Sequence, residues 1–477
     1  MRFFEMIFIV FNILLIVWII FAKSKPLRGL LICFGVSTLL MLLQWCIEGI
    51  RWQMIPAYVM TVVPLAAAMG RIIFKQKSSE AVTKKASRVK YIAVTVLAII
   101  YSLLAVVLPL LFPVFTFEEP RGPYQIGTIT YDWVDEQREE TFTPAPKDKR
   151  RLVVQVWYPA DSKAKGKSVP YLSDGDAYAK GLSKALNMPK LLFTTFDHVK
   201  THAMENVEIS NRETAYPVLL FSHGFNMYKN QNTFQIEQLV SQGYIVVGIE
   251  HAYSSAATIF ADGRVAYYMQ QDKDSADYLD QANEGWVEDA KFTLDQLEKL
   301  VENDPDQRFT GRLDMENVGM FGHSFGGATS TQMLMRDSRI KAAINMDGAL
   351  YGKVEVPEEG LQKPFLLMSA DYSLNITQQM TDQKQVEMME RVLARYEHVT
   401  EGGNYWLTIN HNDHVGFTDF YLLSPLFERM VDVDIRKVHR MINDYSLDFF
   451  NHYLKQQSFK LLEQNIGEHL DYTLHKG

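Results

Sequence analysis

Four long apolar runs fill the first 115 residues of this 477-residue chain, at positions 3–22, 29–47, 53–74 and 91–115. A hydrocarbon core of about 30 Å is crossed by about 20 residues of helix rising 1.5 Å each, and every run has about that length. The first (FFEMIFIVFNILLIVWIIFA) holds one charge, Glu5, near its outer end; the third contains Pro56 and Pro64, and the fourth Pro109 and Pro113 near its far end. Helices of a soluble bundle keep a polar face, and none of these runs has one, so they read as a four-helix transmembrane region. A cleaved secretory signal does not fit the first run, which lacks a basic n-region and a small-residue cleavage site and is long for an h-region.

Loop charges orient the spans. Lys23, Lys25 and Arg28 follow the first run, and Arg71, Lys75, Lys77, Lys84, Lys85, Arg88 and Lys90 lie between the third and fourth against only Glu80. The short connection between the second and third holds Glu48 and Arg51, which cancel. By the positive-inside rule the basic loops are cytoplasmic, so the N-terminus and everything after residue 115 are expected on the extracytoplasmic face. Trp45 and Trp52 flank the outer connection at interfacial depth. An even number of spans is essential to this reading, since three or five would move the remainder inside.

The split is also one of charge. Residues 1–115 carry 12 Lys+Arg and 3 Asp+Glu, a net +9, whereas the rest carries 36 and 53, a net −17. Composition as a whole (47% hydrophobic, 22% charged, net −8) excludes a disordered, collagen-like or basic nucleic-acid-binding chain. Both cysteines, Cys33 and Cys46, lie in the second run, so the part after residue 115 has no disulfide and no cysteine-based metal or nucleophile chemistry. A unit of that size can be stable without such staples.

Residues 116–123 (TFEEPRGP) read as a polar, Pro-rich linker, and 124–477 as one further domain. There, β-branched runs (152–158, 216–222, 244–249, 317–321, 340–345, 364–369, 405–409) alternate with helical stretches such as 231–242, 286–301 and 326–336. Continuous apolar strands alternating with helices predict an α/β fold whose mainly parallel sheet is covered on both faces. Extended segments over 126–158 are expected to form an antiparallel edge hairpin before it.

One motif in this framework is specific. Gly322-His323-Ser324-Phe325-Gly326, then Gly327, follows the strand NVGMF and precedes the small-residue helix ATSTQMLM. A strand–turn–helix of this kind presents a serine hydroxyl at the carboxyl edge of the sheet beside a helix N-terminus, the geometry of a nucleophile elbow; the pentapeptide alone, without those flanks, would be weak. Ser324 then needs a base, an orienting acid and an oxyanion hole. The amide of Phe325 and that of Phe225, after YPVLLFSHG, are the candidate donors. A late histidine is expected as base, and His414, just after the strand YWLTI, fits best; His411 and His398 are competitors, and His323 reads as structural. His223 and His251 also end strands at the active edge, where either could line the pocket. For the acid, Asp347 and Asp371 each follow a strand on that edge, and physics alone leaves both open.

These motifs resemble a family. Over about residues 120–455 the chain is similar to the plasma-type (isoform II) platelet-activating factor acetylhydrolases and their bacterial relatives, through PVLLFSHGF, VGIEHAYSSAATIF, FGHSFGGAT, NMDGAL and HVGFTDF. The resemblance implies an α/β-hydrolase fold behind the membrane region and ester hydrolysis without metal or other cofactor. It selects Asp347 as the acid and His414 as the base. It is silent about the membrane region, and residues 160–205 and 350–400 show little motif likeness.

The expected chemistry is an acyl-enzyme route with Ser324 as nucleophile, His414 as base, Asp347 as acid and the Phe225 and Phe325 amides as oxyanion donors. The expected substrate is a lipid or amphiphilic ester with a short or oxidised acyl chain, and the four helices would contact membrane lipids. No nucleic-acid partner is expected. A general carboxylesterase, lipase or polyester-type hydrolase is an alternative, as is a non-catalytic membrane sensor with a hydrolase-like ectodomain. Absence of Asp, Glu, Lys or Arg from the middle of the runs favours anchoring over an ion path.

Overall fold

A computed structural model of the chain describes residues 1–22, 26–74, 84–143, 145, 147–269, 276–374, 381–396, 398–431 and 433–477. Lys23, Lys25, Lys75, Lys77 and Glu80, which enter the orientation reading, lie outside the described residues. The chain separates into two compact units, Met1–Phe115 with Leu423–Leu426, and Thr116–Leu422 with Phe427–Gly477.

The apolar runs of the first unit form helices α1 (Phe3–Phe21), α2 (Leu27–Glu48), α3 (Ile55–Phe74) and α4 (Lys84–Leu111). Among the described residues three stretches are long and apolar enough to cross a membrane: Phe3–Phe21, Arg28–Glu48 and Tyr91–Leu111. The third run contributes a shorter apolar stretch, Trp52–Ala66, although α3 itself continues to Phe74. Fifteen residues of helix rise about 22 Å, short of a hydrocarbon core of about 30 Å. Phe8, Ile9, Met41, Met54, Ala57 and Met60 form the core of this unit, with Asn12 accepting from Ser37 Oγ (2.7 Å) and Thr61 Oγ1 (3.1 Å) in its interior. Near the helix ends Arg51 does more than cancel Glu48: its guanidinium grips Glu5 at 2.6 and 2.8 Å and donates to Phe112 O, while Glu48 accepts from the amides of Phe4 and Glu5 at the start of α1.

In the second unit the expected parallel sheet is present. Its strands are β1 (Gln125–Glu139), β2 (Lys149–Ala160), β3 (Ser168–Pro170), β4 (Lys200–Glu205), β5 (Tyr216–Ser222) and β6 (Ile245–Glu250), followed, after the separate two-stranded pair β7 (Ala257–Ile259) and β8 (Val265–Tyr267), by β9 (Leu313–His323), β10 (Ile340–Met346), β11 (Phe365–Ala370), β12 (Tyr405–Ile409), β13 (Gly467–Glu468) and β14 (Tyr472–Lys476). Among the described residues the order is β13-β14-β12-β11-β10-β9-β5-β6-β2-β1-β4-β3. The run β6-β5-β9-β10-β11-β12 is parallel throughout. Every residue of β5, β6 and β11 is buried, as continuous apolar strands between two helical layers require.

The covering helices are α6 (Thr233–Ser241), α7 (Ala276–Glu302), α8 (Phe325–Arg336) and α12 (Ile435–Lys455); further helices are α5 (Gly175–Leu186), α9 (Asp371–Leu374), α10 (Gln383–Ala394) and α11 (Pro425–Val431). α7 packs with α8, and α12 with α6, each pair against the sheet. Helical spacing shows why: Val287, Ala290, Leu294 and Leu297 of α7, and Ile435, Val438, Ile442, Tyr445 and Phe449 of α12, fall on single buried faces.

Two expectations change. The β1–β2 hairpin forms, but it is not an edge, because β4 pairs parallel with β1 and β3 pairs with β4 beyond it. The segment 116–123 carries no helix or strand and is tied down: Phe117 packs on Tyr171, Arg121 N donates to Gln238 Oε1 (3.0 Å), and Gly122 N donates to Ser241 Oγ (3.1 Å).

Candidate active site

Ser324 joins β9 to α8 at φ 57° and ψ −121°, a conformation costly for a residue with a side chain and held here by its surroundings. The flanking glycines are sterically required. A Cβ at Gly322 would lie 2.2 Å from Gly326 O, and one at Gly326 would lie 2.0 Å from Ser222 O. The Ser324 amide is anchored on Met346 O at 2.8 Å.

His414 opens a short 3-10 helix, His414–Phe417, after β12; Asp413 caps that helix by accepting from the amides of Val415 and Gly416, both at 3.0 Å. The imidazole reaches Ser324 Oγ with Nε2 at 2.9 Å and Asp347 Oδ2 with Nδ1 at 2.7 Å. Burial disfavours its charged form, but the hydrogen bond and negative charge of Asp347 prevail and raise its pKa above the usual 6.5. Asp347 sits just past β10, and its Oδ atoms also accept from Ala370 N (3.0 Å) and Ser373 Oγ (2.6 Å). Burial alone would raise that carboxyl; His414, Ser373 and the Ala370 amide together hold it below the usual carboxylate range.

The structure therefore brings Ser324, His414 and Asp347 together and leaves the competitors elsewhere. Asp371 accepts from the amides of His411 (2.9 Å) and Asn412 (3.1 Å), bracing the loop that carries His414. His411 is exposed, and His398 pairs with Glu401 at 3.0 Å. His223 and His251 are fully buried. His251 instead receives the hydroxyl of Ser222 at Nε2 (2.9 Å), donates from Nδ1 to Asp289 (2.9 Å) and stacks on Trp286 at 3.8 Å. His223 donates from Nδ1 to Gly224 O at 2.7 Å.

Of the expected oxyanion donors, Phe325 is the first residue of α8, where an amide has no acceptor within the helix. Phe225 follows Gly224, whose carbonyl is engaged by His223 Nδ1 and by Met227 N (3.1 Å), so in a trans peptide the Phe225 N–H is turned to the opposite side. The two phenylalanine rings meet at 4.6 Å, and Trp286 lies 4.9 Å from that of Phe325, giving the elbow an apolar flank. Among the described residues no group of three or more His, Cys, Asp and Glu side chains could hold a metal ion. Gln231 and Ser373 were not foreseen: Gln231 opens a stretch that reads as helix, and no motif marks either residue.

A serine on a strained strand–helix turn of a parallel sheet, with a histidine behind the last parallel strand, defines an α/β-hydrolase. Residues 112–304 and 286–470 match the family profile of platelet-activating factor acetylhydrolase, isoform II, and the chain belongs to that family. It is 26% identical over 318 residues to a platelet-activating factor acetylhydrolase of Cavia porcellus, covering 58% of this chain and 67% of that protein. It is also 26% identical over 260 residues to a protein of Arthroderma benhamiae named "probable 1-alkyl-2-acetylglycerophosphocholine esterase", covering 52% and 63%. The chain thus spans about two thirds of the length of these relatives. Its fold is similar to that of a ferulic acid esterase from Streptomyces cinnamoneus, with a TM-score of 0.59 and 26% identity over 76% of this chain and 99% of that one. Family membership places the chain among the carboxylic ester hydrolases.

Proposed function

We propose that the chain is a membrane-anchored serine hydrolase that cleaves short or oxidised acyl groups from phospholipid-like amphiphiles. The observation that carries the reading is the continuous chain of contacts from Ser324 Oγ through His414 to Asp347, at 2.9 and 2.7 Å. Ser324 Oγ attacks the ester carbonyl as His414 Nε2 takes its proton, and Asp347 holds the imidazolium through Nδ1. The amides of Phe225 and Phe325 receive the developing oxyanion, each donor worth about 3–4 kcal/mol in such a site. His414 returns the proton to the leaving alcohol as the tetrahedral intermediate collapses. Water, deprotonated by the same imidazole, then releases the acid and restores Ser324.

The substrate class rests on the names of the relatives and on a membrane region that holds the enzyme where amphiphiles concentrate. A net charge of −17 on the second unit does not favour adsorption to anionic lipid, so anchoring by the helices takes that role. α3 serves as the fourth span, and the basic loops then put the hydrolase unit on the extracytoplasmic face. The structural likeness to a ferulic acid esterase supports a second reading, an esterase of small soluble esters.

Full-length protein in detergent, with Ser324→Ala as blank, tests the reading against acetyl phospholipid, long-acyl phospholipid and a feruloyl ester. Preference for the acetyl phospholipid is expected; preference for the feruloyl ester moves the assignment to the second reading. Activity that persists in Ser324→Ala overturns the mechanism. A single cysteine added to the hydrolase unit of a Cys33→Ser/Cys46→Ser chain should react with an impermeant maleimide on intact cells, and protection would refute the proposed topology.

A further inference from the structure

Gly224, in the turn after β5, is held by both of its peptide groups. Its carbonyl accepts from His223 Nδ1, and its amide donates to Gln231 Oε1 at 2.8 Å. The packing there is tight: a Cβ would lie 3.0 Å from His323 Nδ1 and 3.3 Å from Ser324 Cβ. The turn that presents the Phe225 amide is therefore packed directly on the elbow.

The Gln231 side chain continues beyond Gly224. Its Nε2 donates to His323 Nδ1 at 2.6 Å, and His323 Nε2 donates to the carbonyl of His414 at 2.8 Å. The two ends leave no choice of direction, because an amide N–H at Gly224 only donates and a carbonyl at His414 only accepts. Gln231 must present Oε1 to Gly224 and Nε2 to His323, and His323 must carry its proton on Nε2. Burial, with the nearby His414 adding to it, lowers His323 to a pKa of about 3 and so keeps the ring neutral. The main chain of Gln231 adds a parallel link, its carbonyl accepting from Asp419 N at 3.0 Å in the same loop as His414. Gln231 is itself 1% exposed.

We infer that Gln231 is a positioning residue that locks the oxyanion turn and the base loop into one register through His323, so that the Phe225 amide and the His414 imidazole are set together around Ser324. This rests on the roles proposed above for those groups. Gln231 touches no reacting atom; it acts on where two reacting groups stand. A misplacement of about 1 Å can cost about 10²-fold in rate, which makes a small slackening of either loop visible in turnover.

The test uses full-length protein in detergent with p-nitrophenyl acetate. Gln231→Met keeps the side chain's length and removes both hydrogen bonds; His323→Phe keeps a ring and removes both nitrogens. Each is expected to lower kcat by about 10- to 100-fold with KM within about twofold of wild type. The double variant should be no slower than the worse single one, because breaking either link breaks the same relay. Turnover within about twofold of wild type, a loss carried by KM alone, or losses that multiply in the double variant would each overturn the inference. If Gln231→Met fails to fold, His323→Phe alone is read by the same kcat and KM criteria. Ser324→Ala is run beside them. If it stays active, the catalytic assignment has failed; if it is inactive while Gln231→Met and His323→Phe match wild type, only the relay has failed.

Discussion

Asp347 and Asp371 follow neighbouring parallel strands and grip different parts of one loop: Asp347 holds the imidazole of His414 at 2.7 Å, and Asp371 holds the amides of His411 and Asn412. One carboxylate sets the tautomer of the proposed base, and the other sets the path of the backbone that carries it. Asp347→Asn presents an amide to Nδ1 and favours the wrong tautomer, so kcat should fall by about 10⁴-fold. Asp371→Asn keeps an acceptor for the loop amides and should cost about tenfold or less. Steady-state rates of the two variants decide it, and the reverse order would reassign the acid.

The same pair of groups sets the pH response. Asp347 raises His414 above 6.5, and a general base must be neutral, so kcat/KM should rise with pH along a limb centred above 6.5. Removing the negative charge in Asp347→Asn takes away the main force holding the proton, and the limb should move to lower pH even as the rate falls. A limb that stays in place would mean that another group titrates. The profile is read from initial rates on a small ester across about pH 5–9.

How much of this could be read beforehand follows from where each constraint lies. Ser324 was legible because the elbow's close contacts exclude side chains at Gly322 and Gly326, and the central strands because burial on both faces demands unbroken apolar runs. The choice between Asp347 and Asp371 was not legible from the residues, since both end strands on one sheet edge and only the fold shows which carboxylate meets the imidazole. Strands β3, β4, β13 and β14 escaped because they are short and only partly buried, their stability coming from neighbours remote in the chain. Gln231 escaped for a related reason: its partners, Gly224 and His323, are defined by tertiary packing.

Gly326→Ala should damage both the fold and the elbow of the hydrolase unit. The added carbon would lie 2.0 Å from Ser222 O and 2.5 Å from His223 O, backbone atoms that cannot move without displacing the oxyanion turn. Overpacking of this kind costs about 1–3 kcal/mol. A lower melting temperature together with loss of fluorophosphonate labelling is expected; labelling at the wild-type rate would show that the elbow can relax.

Acid should weaken the fold before it protonates many carboxylates. His223, His251, His323 and His439 are buried, and burial lowers the pKa of each, to about 3 for His323 and His439. Between its folded value and the usual 6.5 each of these histidines is protonated in the unfolded chain and neutral in the folded one, so its contribution to stability rises with pH and is lost as pH falls below about 6.5. His323 and His439 each contribute about 1.4 kcal/mol per pH unit between about 3 and 6.5. His439→Gln keeps a donor for Thr418 O and should flatten the dependence of the urea midpoint on pH by about one proton. An unchanged slope would mean that His439 is not held neutral.

Two guanidiniums and an imidazole converge on the buried carboxylate of Asp289. Arg150 binds it with Nε at 3.0 Å and Nη2 at 2.6 Å, Arg138 lies 2.9 Å away, and His251 Nδ1 donates to it at 2.9 Å. Burial would raise its pKa, yet Arg150, then His251 and Arg138, depress it far below the usual range, so this stability is present above about pH 4 and lost in stronger acid. Asp289→Ala strands the Arg150 guanidinium in the interior, where removing one partner of a buried pair costs about 3–5 kcal/mol. Arg150 keeps only Glu140 and the Ala252 carbonyl, and the Ser222–His251 pair beneath the oxyanion turn loses its anchor. Arg138→Ala is the control: its side chain is 24% exposed, and its loss leaves Asp289 paired with Arg150, so it should cost about 1 kcal/mol or less. Urea midpoints of the two variants should therefore differ severalfold in their shift, and similar shifts would show that Arg150 finds other compensation when Asp289 is gone.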